Sequence, residues 1–144
     1  MTARTQALFP RKPLSVTIPH VLDMEEQASL AATLAQMGVD VIQTEGSPFI
    51  STMSTGHQAA IEKAAPALSS TYVLSRTITS KSKSKTYVMA SSGINEVTAP
   101  MALVCGARGV GVGSAITKCA SEAEMATKVR AIACAISLNK LNRA

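Results

Sequence analysis

Tryptophan is absent from this 144-residue chain, and two tyrosines and two phenylalanines bring the aromatic share to only 3%. A packed interior must therefore come from Ala, Val, Ile, Leu and Met, which the 47% hydrophobic content supplies. The scarcity of aromatics, with no recognisable nucleic-acid module, argues against nucleic acid as a partner. No apolar run approaches the ~18–20 residues that span a bilayer, so membrane contact is expected only through partner proteins. Cys105, Cys119 and Cys134 are isolated and odd in number. That excludes a disulfide framework and points to reduced thiols in a cytosol- or stroma-like compartment. His20 and His57 show no ligand spacing, so no metal site and no cofactor is expected.

Acidic residues are few, 9 against 14 basic, for a net charge of +5. Residues 1–22 carry Arg4, Arg11 and Lys12 with no acid, and 63–85 carry Lys63, Arg76, Lys81, Lys83 and Lys85 with none. Arg4, Arg11, Lys12, Lys81, Lys83 and Lys85 are candidates to meet an acidic protein surface, with a solvated loop as the alternative for the 81–85 run. Residues 1–13 form a basic, hydroxyl-bearing arm that resembles the end of an organelle transit peptide. Residues 14–144 are expected to form one α/β domain.

Apolar runs at 14–18, 39–43, 86–90 and 109–112 predict four strands, each followed by a helical stretch. Asp23 with Glu26, and Ser121 with Glu124, have capping-box spacing for helices reaching about Met37 and Asn139. Pro66 divides the helical stretch 55–79 into two helices or one kinked helix. A short helix is expected over 96–105 and a brief one after Ser114. The polar loop 47–56 is longer than most strand-to-helix connections, a length often associated with function. The repeated strand-helix order implies parallel pairing, but the chain holds about four such units where a closed eight-unit barrel needs about 250 residues.

Ligands of parallel α/β folds meet the carboxyl ends of the strands, which here are Pro19-His20, Gln43-Thr44-Glu45-Gly46, Ser91-Ser92-Gly93 and Gly113-Ser114. Glu45 is the candidate general acid or base, its alternative being a carboxylate that caps the following loop; His20 is a separate candidate, its alternative being a structural histidine. Ser92, Gly93, Gly111, Gly113 and Ser114 are candidates to cradle a phosphate with backbone N–H groups and hydroxyls. The alternative is that these glycines only permit close packing of helix on strand. GARGVGVGS lacks the lysine-hydroxyl pair of a nucleotide-binding loop, and no ribose-binding acid follows to make a dinucleotide site.

The blocks VIQTEG, MASSGI, VTAPMA and GVGVGSA carry a further signal. From Leu14 onward the chain resembles the C-terminal half of the conserved hypothetical chloroplast reading frame 23 family, found in cyanobacteria and algal plastids. Its departures include Ser47 after the IQTEG block, Asn95-Glu96 and the KSKSK run. The resemblance implies the second half of a phosphate-binding TIM barrel and a plastid location, on the stromal side, without supplying a reaction. Four strands would then leave open edges and an uncovered face for other subunits or a copy of itself. The expected function is a non-catalytic accessory or interaction subunit of a plastid assembly, with a photosynthetic complex as a candidate host. The alternative is a phosphate-metabolite enzyme or sensor that completes its barrel by oligomerisation.

Overall fold

Four parallel strands, each paired with the next in sequence, make one open sheet of order β1-β2-β3-β4. They are β1 (Ser15–Thr17), β2 (Val41–Gln43), β3 (Tyr87–Ser91) and β4 (Gly109–Gly111). The structure is a computed structural model that describes residues 1–46, 51–81 and 85–141. Helices α2 (Met24–Gln36), α3 (Gly56–Lys81) and α4 (Thr98–Val104) connect the strands. Helices α5 (Ser114–Thr117) and α6 (Glu122–Leu141) follow β4. The expected fold class is the one observed, and the sheet is not closed. Ahead of it the basic arm contains helix α1 (Thr2–Leu8), which has no buried residue. Gln6 Nε2 on that helix donates to the Met37 carbonyl at 2.9 Å.

Strand alternation explains how the sheet is clothed. Val16, Ile42 and Val88 are register partners, as are Ala90 and Val110, and these residues face the helices. Ile42, Val88 and Ala90 are buried. Their partners of opposite parity, Ser15, Thr17, Val41, Gln43, Tyr87, Met89 and Ser91, are exposed or half-exposed. Among the described residues no helix covers that second face. Two apolar clusters fill the helix side. One gathers Ile18, Leu34, Val39, Ile42, Leu74, Ile78 and Val88. The other gathers Leu68, Ala90, Ile94, Ala102 and Ile132 with small alanines between them.

Local chemistry sets the helix ends. Asp23 Oδ1 accepts from Glu26 N at 2.8 Å while Glu26 Oε2 accepts from Asp23 N at 3.1 Å, a complete capping box. At α6 the Ser121 hydroxyl accepts from Glu124 N, but the Glu124 carboxylate reaches Ala120 N, one residue earlier than a box would place it. The α4 helix begins two residues later than expected. Asn95 Oδ1 accepts from Val97 N and Thr98 N, so these residues form a capped turn that precedes the helix. Pro66 does not split α3, which runs as one helix. Proline removes an N–H from a helix interior at a cost of ~3 kcal/mol. Burial on both sides of Pro66 offsets it: Ala64 and Leu68 enter one apolar cluster, Leu74 and Ile78 the other.

Candidate functional site

The carboxyl ends of the four strands carry the chemistry, and β1 and β2 bring their two candidates together. One carboxylate oxygen of Glu45, Oε2, accepts from the His20 backbone N at 3.1 Å and lies 2.9 Å from His20 Nδ1. The pair holds the Glu45 carboxyl below its usual value, chiefly through the imidazole hydrogen bond and then through the His20 amide. Among the described residues no hydrogen bond engages His20 Nε2 or Glu45 Oε1. A carboxylate that orients an imidazole in this way is the usual second member of an acid-base pair.

Next along the sheet, Gly46 and Ser92 join β2 to β3. A Cβ on Gly46 would sit 2.8 Å from Ser92 Cβ, so glycine is what lets the two strand ends touch. Ser92 itself has φ of +80°, uncommon for a non-glycine residue. Gly93 follows with φ of +72°, and a Cβ there would lie 2.8 Å from Ala64 Cα and 2.9 Å from Ala64 N. The backbone of α3 therefore rests directly on this turn.

That close approach forms one wall of a cleft of about 320 Å³ at the ends of β3 and β4. Lys63 from α3 and Lys118 after α5 supply two cations, Asn95 and Ser114 supply polar groups, and Gly93 and Thr52 complete the rim. Asn95 Oδ1 is committed to the turn ahead of α4, which leaves the amide nitrogen as the donor group of its side chain. The acids beside the cleft are engaged elsewhere. Glu62, adjacent to Lys63, accepts from Met53 N at 2.9 Å and from the Ser54 hydroxyl at 2.5 Å. Glu96, adjacent to Asn95, lies 2.6 Å from Lys128 Nζ, and that ammonium is the main reason its carboxyl sits below the usual value. The second Glu96 oxygen is buried without a hydrogen-bond partner among the described residues.

The remaining candidates are dispersed. Of the five phosphate candidates, Gly93 and Ser114 line the cleft. Ser92 packs against Gly46. Gly111 lies on the uncovered face, where its Cβ position crowds Ser91 Oγ, which itself accepts from Gln43 Nε2 at 2.9 Å. Gly113 has open space around it. Arg11 and Lys12 line a separate groove of about 630 Å³ with Gln6 and Asp40, at the opposite ends of the strands. Arg4 is exposed on α1, and Lys85 is exposed just before β3. Lys81 ends α3, whereas Lys83, Ser47 and most of the KSKSK run lie outside the described residues. Sequence inspection missed Lys63 and Lys118 as cleft residues, because Lys63 sits within α3 and Lys118 in the turn after α5, away from strand ends. The one signal available was that Lys63 opens an acid-free stretch.

Residues 1–142 match the family described as Protein of unknown function (DUF561). The chain is 38% identical over 140 residues to the uncharacterized protein ycf23 of Porphyra purpurea, covering 96% of this chain and 50% of that protein. It is 35% identical over 125 residues to the uncharacterized protein ycf23 of Cyanophora paradoxa, covering 87% and 49%. The chain thus spans about half the length of the curated relatives it matches, consistent with a C-terminal half. The resemblance carried by the sequence blocks is thereby shown, and the source of these relatives is consistent with a plastid location. A solved structure of a designed cube-shaped, highly porous protein cage aligns over 98% of this chain and 58% of its own, at 15% identity and a TM-score of 0.43.

Proposed function

We propose that this chain, which belongs to the DUF561 family, binds a phosphorylated small molecule at the carboxyl ends of β3 and β4, with Glu45 and His20 available for proton transfer beside it. The observation that carries this reading is the cleft in which Lys63 and Lys118 meet Asn95, Ser114 and the Gly93 turn, with both neighbouring acids engaged by other groups. Lysine is a strong phosphate partner as a point charge, and hydroxyl and amide donors fix orientation. The Gly46–Ser92 contact links this cleft to Glu45, so a ligand extending from the phosphate toward β2 would approach the acid-base pair.

Calorimetric titration of the full chain with glucose 6-phosphate tests the reading. Binding should be measurable, and the Lys63→Gln, Lys118→Gln double variant should weaken it at least tenfold while melting like the parent. Equal binding by parent and variant would return both lysines to the solvated surface.

A second reading rests on a different observation. The sheet presents two edge strands, β1 and β4, and an uncovered face, which favour a role as an accessory subunit docked in a stromal plastid assembly. Photosynthetic complexes are candidate hosts by the lineage of the relatives alone.

A further inference from the structure

We infer that Gln43 and Ser91, side by side on the uncovered face of the sheet, form a second subsite that takes hydroxyl groups of the ligand, so that the phosphorylated molecule is a sugar or polyol phosphate and not an alkyl or aryl phosphate. The inference rests on the phosphate-binding reading and names the ligand class of that same site. Its basis is an amide paired with a hydroxyl where sheet packing requires neither. Sheet faces favour β-branched and apolar side chains, a pattern that Val41 and Met89 follow on this face. Toward its carboxyl end, Gln43 Nε2 instead donates to Ser91 Oγ from β2 to β3 at 2.9 Å. That bond orients both side chains. It leaves the Ser91 hydroxyl with a proton to donate and Gln43 Oε1 as an acceptor, and among the described residues no other hydrogen bond engages either. A donor and an acceptor held side by side match a hydroxyl group, which accepts from one and donates to the other.

The residues around the pair leave room for such a group. Gly111 is the register partner of Ser91, and a Cβ there would lie 2.5 Å from Ser91 Oγ and 3.8 Å from Gln43 Nε2. A side chain at 111 would push the Ser91 hydroxyl out of its place. Beyond it on the β4 side, Gly113 has open space and Ser114 lines the phosphate cleft. On the β2 side the ladder continues past Gln43, with Thr44 N donating to the Met89 carbonyl at 3.0 Å. Thr44 is buried, so alternation sets Glu45 on the face of Gln43. The pair thus lies between the phosphate cleft and Glu45, and a hydroxyl-bearing carbon seated on it stands beside the acid-base pair.

Glucose 6-phosphate and cyclohexylmethyl phosphate share the phosphate, the linking carbon and a six-membered ring, but only the first carries hydroxyls. In calorimetric titration of the full chain, the sugar phosphate should bind about tenfold more tightly, short of the ~10⁴-fold discrimination of fully buried sites because this face is half-exposed. Gln43→Leu and Ser91→Ala should each reduce that preference to about two- to threefold, by weakening the sugar phosphate alone. Unchanged binding of cyclohexylmethyl phosphate by both variants checks that the fold and the phosphate cleft are intact. Equal affinities of the parent for the two probes would overturn the hydroxyl subsite while leaving phosphate binding in place. A preference that survives both substitutions would overturn it as well. Binding of neither probe by the parent would overturn the phosphate reading, and this inference with it.

Discussion

Gly93 shows how much a single residue position decides. Its φ of +72° lies in the left-handed region, and the space a side chain would need is already filled by the backbone of Ala64. Neither obstacle can be relieved by turning a rotamer. Gly93→Ala is expected to destabilise the chain by about 2–4 kcal/mol, combining the left-handed penalty with displacement of α3. A fall in the denaturant midpoint at constant slope would register it, and an unchanged midpoint would mean that α3 does not rest on this turn. Strand-end reasoning from sequence found Gly93, Ser114, Glu45 and His20 because residues just past a strand must lie at one end of a parallel sheet. It did not find that Glu45 and His20 touch, which depends on β1 and β2 being neighbours. Nor did it find Lys63, whose direction around the helix depends on which side of α3 packs inward.

At the scale of elements, Met53 and Ser54, just ahead of α3, are tied down by a side chain of that helix. Glu62 collects the Met53 and Ser54 amides together with the Ser54 hydroxyl, and Thr52 beside them lines the cleft. These donors, led by the Ser54 hydroxyl, hold the Glu62 carboxyl below its usual value of 4.5. A depressed carboxyl contributes its stabilisation above the ordinary value and loses it as pH falls through the lower, folded one. The tether is therefore present at neutral pH and released in acid below 4.5. Glu62→Gln should speed amide exchange at Met53 and Ser54 and weaken sugar-phosphate binding a few-fold at neutral pH. Exchange rates matching the parent would remove the tether from the account. The helices themselves were largely legible, since capping residues act locally: Asp23 with Glu26 marks the start of α2 in sequence and in space. Pro66 left two helices or one kinked helix open, and one helix forms because the local cost is outweighed by contacts with both apolar clusters, which are distant in sequence.

At the scale of the whole molecule, the open parallel sheet is unusual in having one face without helices among the described residues. Parallel sheets are ordinarily covered on both sides. Here the second face mixes Val41, Met89 and Tyr87 with Ser15, Thr17 and Gln43, and among the described residues β1 and β4 keep unpaired edges. Concentration-dependent association of the full chain is the expected result in sedimentation experiments, and a monomer at every concentration tested would count against the accessory reading. The strand order was legible from the repeated strand-helix pattern, because a parallel pair needs a crossover and short crossovers join neighbours. The same sequential order bears on how the chain assembles. Chain entropy lost on closing a loop grows with the loop's length, so the β3-α4-β4 unit, with the shortest connection, is the least costly to form, and the β2-α3-β3 crossover the most. Lys118 stands just beyond the first of these, and Lys63 is carried by the second. An anion held between the two lysines would join the most local part of the fold to the least local, and by mass action would draw the slowest closure to completion.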